Sequence, residues 1–88
     1  MGYTVGYSSK ALKRLKKMDK RDSSMLVGWI EKNLLGISDP YSKGKALVGN
    51  KKGQWRYRIG DYRLLCKIEK NELYILVIEI GHRKDVYT

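Results

Sequence analysis

The sequence predicts an α+β domain in which two helices pack on one face of an antiparallel sheet. Three observations lead to this fold class. Apolar residues recur at helical spacing between residues 9 and 34, they alternate with polar residues from position 54 onward, and turn-forming residues separate these segments. The predicted order is β-α-α-β-β-β-β: an N-terminal strand, a helical hairpin and three to four further strands. With 88 residues, the chain is long enough for a single domain over residues 1–88 and for no second core.

The first strand leads directly into the first helix. Residues 3–7 alternate over a short span and are predicted to form the strand, although Gly6 weakens the pattern. Ser8 has the side chain of a helix N-cap, so the helix is expected to begin at Ser9. The residues expected on its buried face are Leu12, Leu15 and Met18.

A second helix is predicted after a connection of only a few residues, which makes the pair a helical hairpin. Asp19 or Asp22 can cap its N-terminus. Gly36 is expected to stop it as the C′ residue, and Pro40 soon afterwards prevents its continuation. Its predicted buried stripe consists of Met25, Leu26, Trp29, Ile30 and Leu34.

The second half of the chain is predicted to form strands. After a loop, residues 46–48 are expected to form a short strand, and residues 49–53 a loop rich in turn formers. Residues 54–59 and 62–69 alternate with period two, and the Gly60-Asp61 pair between them suits a two-residue type II′ hairpin. The segment 72–80 is apolar on both faces and is therefore predicted to be a central strand.

The predicted hairpin gathers three arginines on one face of the sheet. If Gly60-Asp61 is the loop, Ile59 lies opposite Tyr62 and Arg58 lies opposite Arg63. Cross-strand partners share a face, so Arg56, Arg58 and Arg63 emerge on the same side. Like charges placed opposite each other destabilise a sheet, whereas guanidinium groups bind phosphate through two hydrogen bonds. The three arginines therefore indicate an anion-binding face, while a solvated cationic face is the plainer alternative.

A second polar cluster follows the last predicted strand. It offers a group that can transfer protons near neutral pH, a guanidinium and a phenol within six residues: His82, Arg83 and Tyr87. A histidine on its own is more often an ordinary surface or packing residue, and a terminal tyrosine often packs on a sheet. Their combination at the end of a central strand makes them candidate catalytic residues.

The charge balance points to an anionic partner. Lys+Arg number 19 and Asp+Glu number 9, giving a formal charge of +10, and 42% of the residues are hydrophobic. A folded domain with a cationic surface suits nucleic acid, an anionic membrane face or an acidic protein. No apolar run approaches the roughly 20 residues of a membrane-spanning helix, so no membrane partner is expected. The residues predicted to contact nucleic-acid phosphates are Lys10, Lys13, Arg14, Lys17, Lys51 and Lys52; the alternative for those on the first helix is the ordinary polar face of an amphipathic helix.

The cysteine and histidine content excludes other classes of site. One cysteine, Cys66, cannot form an internal disulfide, and with one histidine a His/Cys zinc site is not expected. Cys66 alternates with Leu64 and Ile68 and is interpreted as a small buried hydrophobe. No metal and no cofactor are therefore expected, and the reducing cytoplasm is the predicted location, since no signal peptide precedes the domain.

Two segments resemble the RelE/ParE superfamily of toxins from bacterial type II toxin–antitoxin systems. They are residues 55–65 (WRYRIGDYRLL) and residues 78–87 (IEIGHRKDVY), and residues 8–17 and 45–49 fit the same pattern. The resemblance, which favours the RelE branch, implies a ribosome-dependent endoribonuclease that cleaves messenger RNA in the A site by attack of a ribose 2′-OH on the adjacent phosphate. It also implies a cognate antitoxin that covers the basic surface. The alternatives are a ParE-like inhibitor of DNA gyrase and a non-catalytic RNA-binding module.

The resemblance assigns catalytic positions to residues already singled out on the hairpin and in the cluster after the last strand. These are Arg56, Arg58, Arg63, Arg83 and Tyr87, with His82 as a further proton-transfer candidate. Better-known RelE-like toxins carry lysines at the first two positions. Arginine is a poor proton shuttle because it stays charged, so the resemblance implies that Arg56 and Arg58 act as clamps and that His82 or Tyr87 is the base.

Overall fold

A computed structural model describes residues 2–83 of the chain and confirms the predicted order of elements. Short 3₁₀ turns occur at Pro40–Ser42, Gly49–Lys51 and Lys70–Glu72. The helices and strands are β1 (Thr4–Tyr7), α1 (Ser9–Lys17), α2 (Lys20–Asn33), β2 (Lys45–Ala46), β3 (Trp55–Ile59), β4 (Tyr62–Glu69) and β5 (Tyr74–His82).

The five strands form one mixed sheet in the order β1-β5-β4-β3-β2. The strands from β2 onward pair antiparallel, as the sequence predicts. The first strand adds a parallel pair, because β1 lies along β5 with Thr4 beside Tyr74 and Tyr7 beside Val77. The predicted central position of the last long strand is confirmed, since β5 is paired on both sides. Tyr74 also explains Gly6 in β1, where an added Cβ would collide with the tyrosine hydroxyl.

The start of α1 is fixed to an irregularity in β5. The Ser8 hydroxyl accepts the Ala11 N–H at 3.0 Å, as an N-cap does, and donates to the Ile78 carbonyl at 2.6 Å. Ile78 is the extra residue of a β-bulge, because Cys66 pairs with Val77 while Leu65 pairs with Glu79. One side chain therefore caps the helix and donates a hydrogen bond to the bulged strand.

The core lies between the helices and one face of the sheet. Ala11, Leu26, Ile30 and Leu34 supply its helical side, and Asp19 caps α2, one of the two predicted caps. The strands supply Tyr57, Ile59, Leu64, Cys66, Ile75, Val77 and Ile80. Burial raises the pKa of the Cys66 thiol to about 12, which agrees with the prediction of a buried hydrophobe.

Two residues expected in the core are exposed instead. Leu12 is 45% exposed and Met25 is 42% exposed. Helix α1 presents Ala11 to the sheet, followed by the half-buried Leu15 and Met18 at the spacing of one helix face. Met25 lies outside the core because its neighbour Leu26 points inward, and adjacent residues of a helix face different directions. In both helices the apolar stripe is narrower than the sequence indicates.

Two strand boundaries also differ from the prediction. Strand β2 pairs over only two residues, so Leu47 and Val48 lie beyond it and Val48 is 85% exposed. Strand β5 starts after Leu73, whose left-handed φ of 50° ends the preceding turn, and it continues through His82. The last strand is therefore shifted by two residues relative to the predicted segment 72–80.

The connection from α2 to β2 is anchored on β3. The Tyr57 hydroxyl donates to the Pro40 carbonyl and the Trp55 indole N–H donates to the Lys43 carbonyl, each at 2.7 Å. Gly44 has a φ of +81°, and a Cβ there would collide with the Arg56 carbonyl and the Trp55 indole nitrogen. The chain can approach β3 this closely only because residue 44 is glycine. Within residues 2–83, no helix is long and apolar enough to cross a membrane.

Candidate functional site

Arg56, Arg58 and Arg63 lie on the face of the sheet opposite the helices, which we call the arginine face. The register predicted for the hairpin is confirmed in full: Ile59 pairs with Tyr62, Arg58 with Arg63, and Arg56 with Leu65. Among the two central turn residues, only Gly60 has a positive φ (56°), as a type II′ turn requires. Two guanidinium-bearing residues therefore face each other across neighbouring strands.

A fourth cation, Lys45, extends this face. It pairs with Arg56 across β2 and β3, so that like charges oppose each other twice on one surface. Lys45 was not among the predicted site residues, because the strand predicted over residues 46–48 began one residue later. Lys45 directly precedes Ala46 in the sequence and is a visible positive charge. Only the pairing of β2 with β3 shows that it belongs to the arginine face.

Glu79 is an acidic residue on the same face, and it was not predicted as part of the site. It pairs with Leu65, which in turn pairs with Arg56, and its carboxylate lies 3.1 Å from the Lys10 ammonium and 3.9 Å from that of Lys51. Glu79 therefore joins α1 to the Gly49–Lys51 turn at the border of the arginine face. The Glu79 side chain lies on this face because of the bulge at Ile78, and the alternation of residues in the sequence does not predict that bulge.

His82, the predicted candidate for proton transfer, lies on the opposite face of the sheet from the arginines. Because β5 continues through this residue, His82 pairs with Tyr62 and Arg63 pairs with Gly81, which places the imidazole on the helix face. Its ring packs edge-on against Tyr62 with centroids 4.8 Å apart. The Tyr62 hydroxyl donates to Asp22 of α2 at 2.7 Å, and this hydrogen bond raises the pKa of the phenol.

Arg83 lies at the hairpin turn, at the end of the sheet where Arg58 and Arg63 are also found. Its backbone N–H donates to the Asp61 carbonyl at 2.8 Å, and its Nε lies 3.6 Å from the Asp61 carboxylate. Arg83 is exposed, so its guanidinium remains accessible to an anion despite this ion pair. The predicted site residue Tyr87 lies outside the described residues.

The six residues predicted to contact RNA phosphates lie in two places. Lys51 and Lys52 belong to the segment that borders the arginine face, and Lys51 reaches Glu79. The other four, on α1, are Lys10, Lys13, Arg14 and Lys17. Through the shared carboxylate of Glu79, Lys10 connects the helix to the arginine face, so the two basic surfaces are continuous there.

The remaining reactive side chains of the described residues are the Cys66 thiol and the scattered His, Asp and Glu groups. The Cys66 thiol is fully buried and stays protonated at neutral pH, so it does not act as a nucleophile. Among residues 2–83, no three His, Cys, Asp or Glu side chains are placed to hold a metal ion together. What the site offers is a concentration of positive charge on a sheet face.

Comparison with known proteins identifies this combination of fold and charge. Residues 5–87 match the family described as the ParE toxin of type II toxin–antitoxin systems, parDE. The chain is 30% identical over 87 residues to Toxin RelG of Mycobacterium tuberculosis, covering 99% of this chain and 98% of that toxin.

Solved structures show the same fold. The toxin–antitoxin complex RelBE2 of M. tuberculosis contains a chain with a TM-score of 0.85 and 28% identity, covering 97% of this chain and 95% of that one. The archaeal RelE–RelB complex of Pyrococcus horikoshii OT3 follows with a TM-score of 0.70 at 22% identity, covering 98% and 100% of the two chains. The chain described here belongs to the RelE/ParE superfamily and is a toxin of a type II toxin–antitoxin system.

Proposed function

We propose that this toxin is a ribosome-dependent endoribonuclease that cleaves messenger RNA in the A site and thereby stops translation in the cytoplasm. The observation that carries the proposal is the arginine face, where Arg58 directly opposes Arg63 and Arg56 opposes Lys45. Such opposition of like charges lowers the stability of the sheet, and an anionic ligand between the side chains relieves it. Similarity to toxins named RelG and RelE supports the same branch of the superfamily.

In the proposed reaction the 2′-oxygen of a ribose attacks the adjacent phosphorus and the 5′-oxygen of the next nucleotide departs. Extra negative charge develops on the phosphoryl oxygens in the transition state. Arg63 and Arg83 stabilise that charge, since fixed donors act most strongly where charge develops. Arg56 and Arg58 hold the flanking phosphates as bidentate clamps.

The reaction also needs a base for the 2′-OH and an acid for the departing oxygen. His82 faces the helices and packs on Tyr62, which removes it from the arginine face. Arginine does not release its proton under these conditions. We therefore assign Tyr87 one of two roles, proton transfer through its phenol or stacking against a nucleobase of the message.

The same basic surface is the proposed binding site of a cognate antitoxin. Solved relatives include RelE chains crystallised in complex with RelB. An acidic or amphipathic partner that covers the arginine face neutralises part of the +10 charge and excludes RNA. In this proposal, ribosome and antitoxin compete for one surface.

Primer extension on a translated message tests the proposed activity. The wild-type toxin is expected to cut within the A-site codon when ribosomes are present and to leave the naked message intact. Arg63→Ala is expected to slow single-turnover cleavage by about 10²–10³-fold, the usual cost of removing one donor that stabilises transition-state charge. Arg21→Ala, at an exposed position of α2, is the matched control and keeps the wild-type rate.

The family description includes ParE, so a gyrase supercoiling assay belongs beside the cleavage assay. Inhibition of supercoiling without cleavage of the translated message would replace the ribonuclease proposal by a gyrase-directed one. RNA binding without either activity would instead support the non-catalytic module.

A further inference from the structure

Two cavities open on the arginine face and share Arg56 as a common wall. The first, of about 240 Å³, is lined by Gly44, Lys45, Arg56 and Arg58, so all of its side chains are cationic. The second, of about 220 Å³, is lined by Leu47, Val48, Asn50, Lys51, Arg56, Arg63 and Leu65. The two cavities therefore differ in chemistry: the first is purely basic, and the second has apolar walls and a basic rim.

The second cavity combines three kinds of group. Leu47, Val48 and Leu65 give it apolar walls, and Val48 is 85% exposed although it is aliphatic. Asn50 contributes an amide that can both donate and accept hydrogen bonds. An exposed apolar surface rimmed by polar groups is typical of a binding site.

A nucleotide matches this arrangement. A nucleobase has apolar ring faces and a hydrogen-bonding edge, and its sugar carries phosphates on both sides. The cavity is smaller than the roughly 300 to 1,000 Å³ of pockets for drug-sized ligands, so it suits a single ring system. The neighbouring cationic cavity shares Arg56 with this one, and its lysine and arginine side chains are suited to a flanking phosphate.

We propose that the second cavity binds one base of the RNA strand between Val48 and Leu65, with Asn50 at the edge of the base and a flanking phosphate in the first cavity. The proposal rests on the proposed ribonuclease function and adds a determinant of sequence preference to it. The basic rim of Lys51, Arg56 and Arg63 calls for an anionic occupant, and the amide of Asn50 beside apolar walls matches a nucleobase that carries phosphates.

Methyl NMR of the full-length toxin tests base binding without the ribosome. The probes are a 2′-O-methyl trinucleotide, which lacks the attacking hydroxyl, and an abasic trinucleotide with the same phosphates. The base-bearing probe is expected to shift the methyl resonances of Leu47, Val48 and Leu65, while the abasic probe leaves them in place. Leu12, an exposed leucine on α1, serves as the control methyl. Equal shifts from both probes, or shifts of Leu12 as large as those of the cavity, overturn the proposal.

Cleavage of a set of messages that differ at one A-site position tests the same cavity in function. Asn50→Ala is expected to change the ratio of rates between the preferred and a disfavoured base by about tenfold, since an amide–base contact is removed. Asn71→Ala, at an exposed position of the Lys70–Glu72 turn, leaves that ratio unchanged.

The two experiments separate the possible failures. If the wild-type toxin cuts no message, the proposed function fails while the NMR titration still decides the base pocket. If it cuts but Asn50→Ala keeps the wild-type ratio and the trinucleotides shift no cavity methyl, the pocket proposal fails alone. A third outcome also overturns the pocket proposal. If Val48→Ala weakens antitoxin binding and the trinucleotides shift no cavity methyl of the wild type, the cavity binds an apolar side chain of the antitoxin instead of a base.

Discussion

The pair Arg58 and Arg63 shows, at the scale of single residues, a conflict between stability and charge concentration. Their backbones are directly opposed across β3 and β4, and Arg56 faces Lys45 one step further along β3. Each such pair of like charges costs the folded state free energy that an oppositely charged or neutral pair does not. A site of this kind is most stable when an anion occupies it.

Neutralising Arg58 is therefore expected to stabilise the toxin while impairing it. Arg58→Gln should raise the free energy of unfolding by about 0.2–1 kcal/mol, because a directly opposed like charge is removed. The same variant should cleave translated messages more slowly than the wild type. Urea denaturation followed by circular dichroism measures the first effect and primer extension the second.

Arg21→Gln is the matched control, since Arg21 is exposed on α2 and distant from β3 in the chain. Its effect on the free energy of unfolding should stay within about 0.5 kcal/mol, as for ordinary surface substitutions. A loss of stability in Arg58→Gln would show that the guanidinium makes contacts that outweigh the repulsion.

At the scale of elements, Ser8 joins the start of α1 to the bulged strand of the sheet. Ser8 caps the helix and satisfies the Ile78 carbonyl at the bulge, and its own backbone N–H donates to the Val77 carbonyl at 2.9 Å. The bulge reverses the side-chain alternation of β5, which brings Glu79 to the arginine face. The helix start and the site are thus coupled through one strand irregularity.

Ser8→Ala is expected to lower the free energy of unfolding by about 1–3 kcal/mol. The substitution removes the N-cap and leaves a part-buried carbonyl without this donor. Ser24→Ala, at an exposed position within α2, provides the comparison and should be close to neutral. Chemical denaturation of both variants at one pH checks the difference; equal stabilities would mean that the bulge is held by other contacts.

The elements also show what a sequence can predict and what it cannot. The β3–β4 hairpin follows from period-two alternation and a Gly-Asp turn, both local properties, and its register and its arginine face were predicted correctly. The end of β5 and the bulge at Ile78 depend on pairing with distant strands. For this reason the sequence did not predict that β5 includes His82 or that Glu79 lies on the arginine face. Similarly, the rotation of α1 that buries Ala11 rather than Leu12 reflects packing on the sheet.

At the scale of the whole molecule, alkaline pH affects the stability of the fold in two opposite ways, one through the surface charge of +10 and one through ionisable groups in the core. Raising the pH toward the isoelectric point of 9.8 reduces the repulsion among surface cations. The same change destabilises the core. Burial raises the pKa of the Cys66 thiol from its ordinary 9.0 to about 12, and it also raises the pKa values of Tyr7 and Tyr57. In the folded chain these groups hold their protons longer than in the unfolded chain.

The free energy of unfolding is therefore expected to be at its full value below pH 9 and to fall as the pH rises toward 12. Between these values the unfolded thiol has lost its proton while the folded thiol keeps it, so alkali favours unfolding. Urea denaturation at a series of pH values measures the decline. Cys66→Ala should make the decline shallower, and a stability that rises throughout this range would show that relief of surface repulsion dominates.

The parallel pairing of β1 with β5 has a consequence for how the chain is made. Thr4 lies beside Tyr74 and Tyr7 beside Val77, so the first strand has no partner in the sheet until β5 has been synthesised. Contacts between such distant parts of a chain form late and slowly. The sheet that carries the arginine face is therefore completed only after its first strand has waited for β5, and the nascent toxin has an unpaired first strand until then.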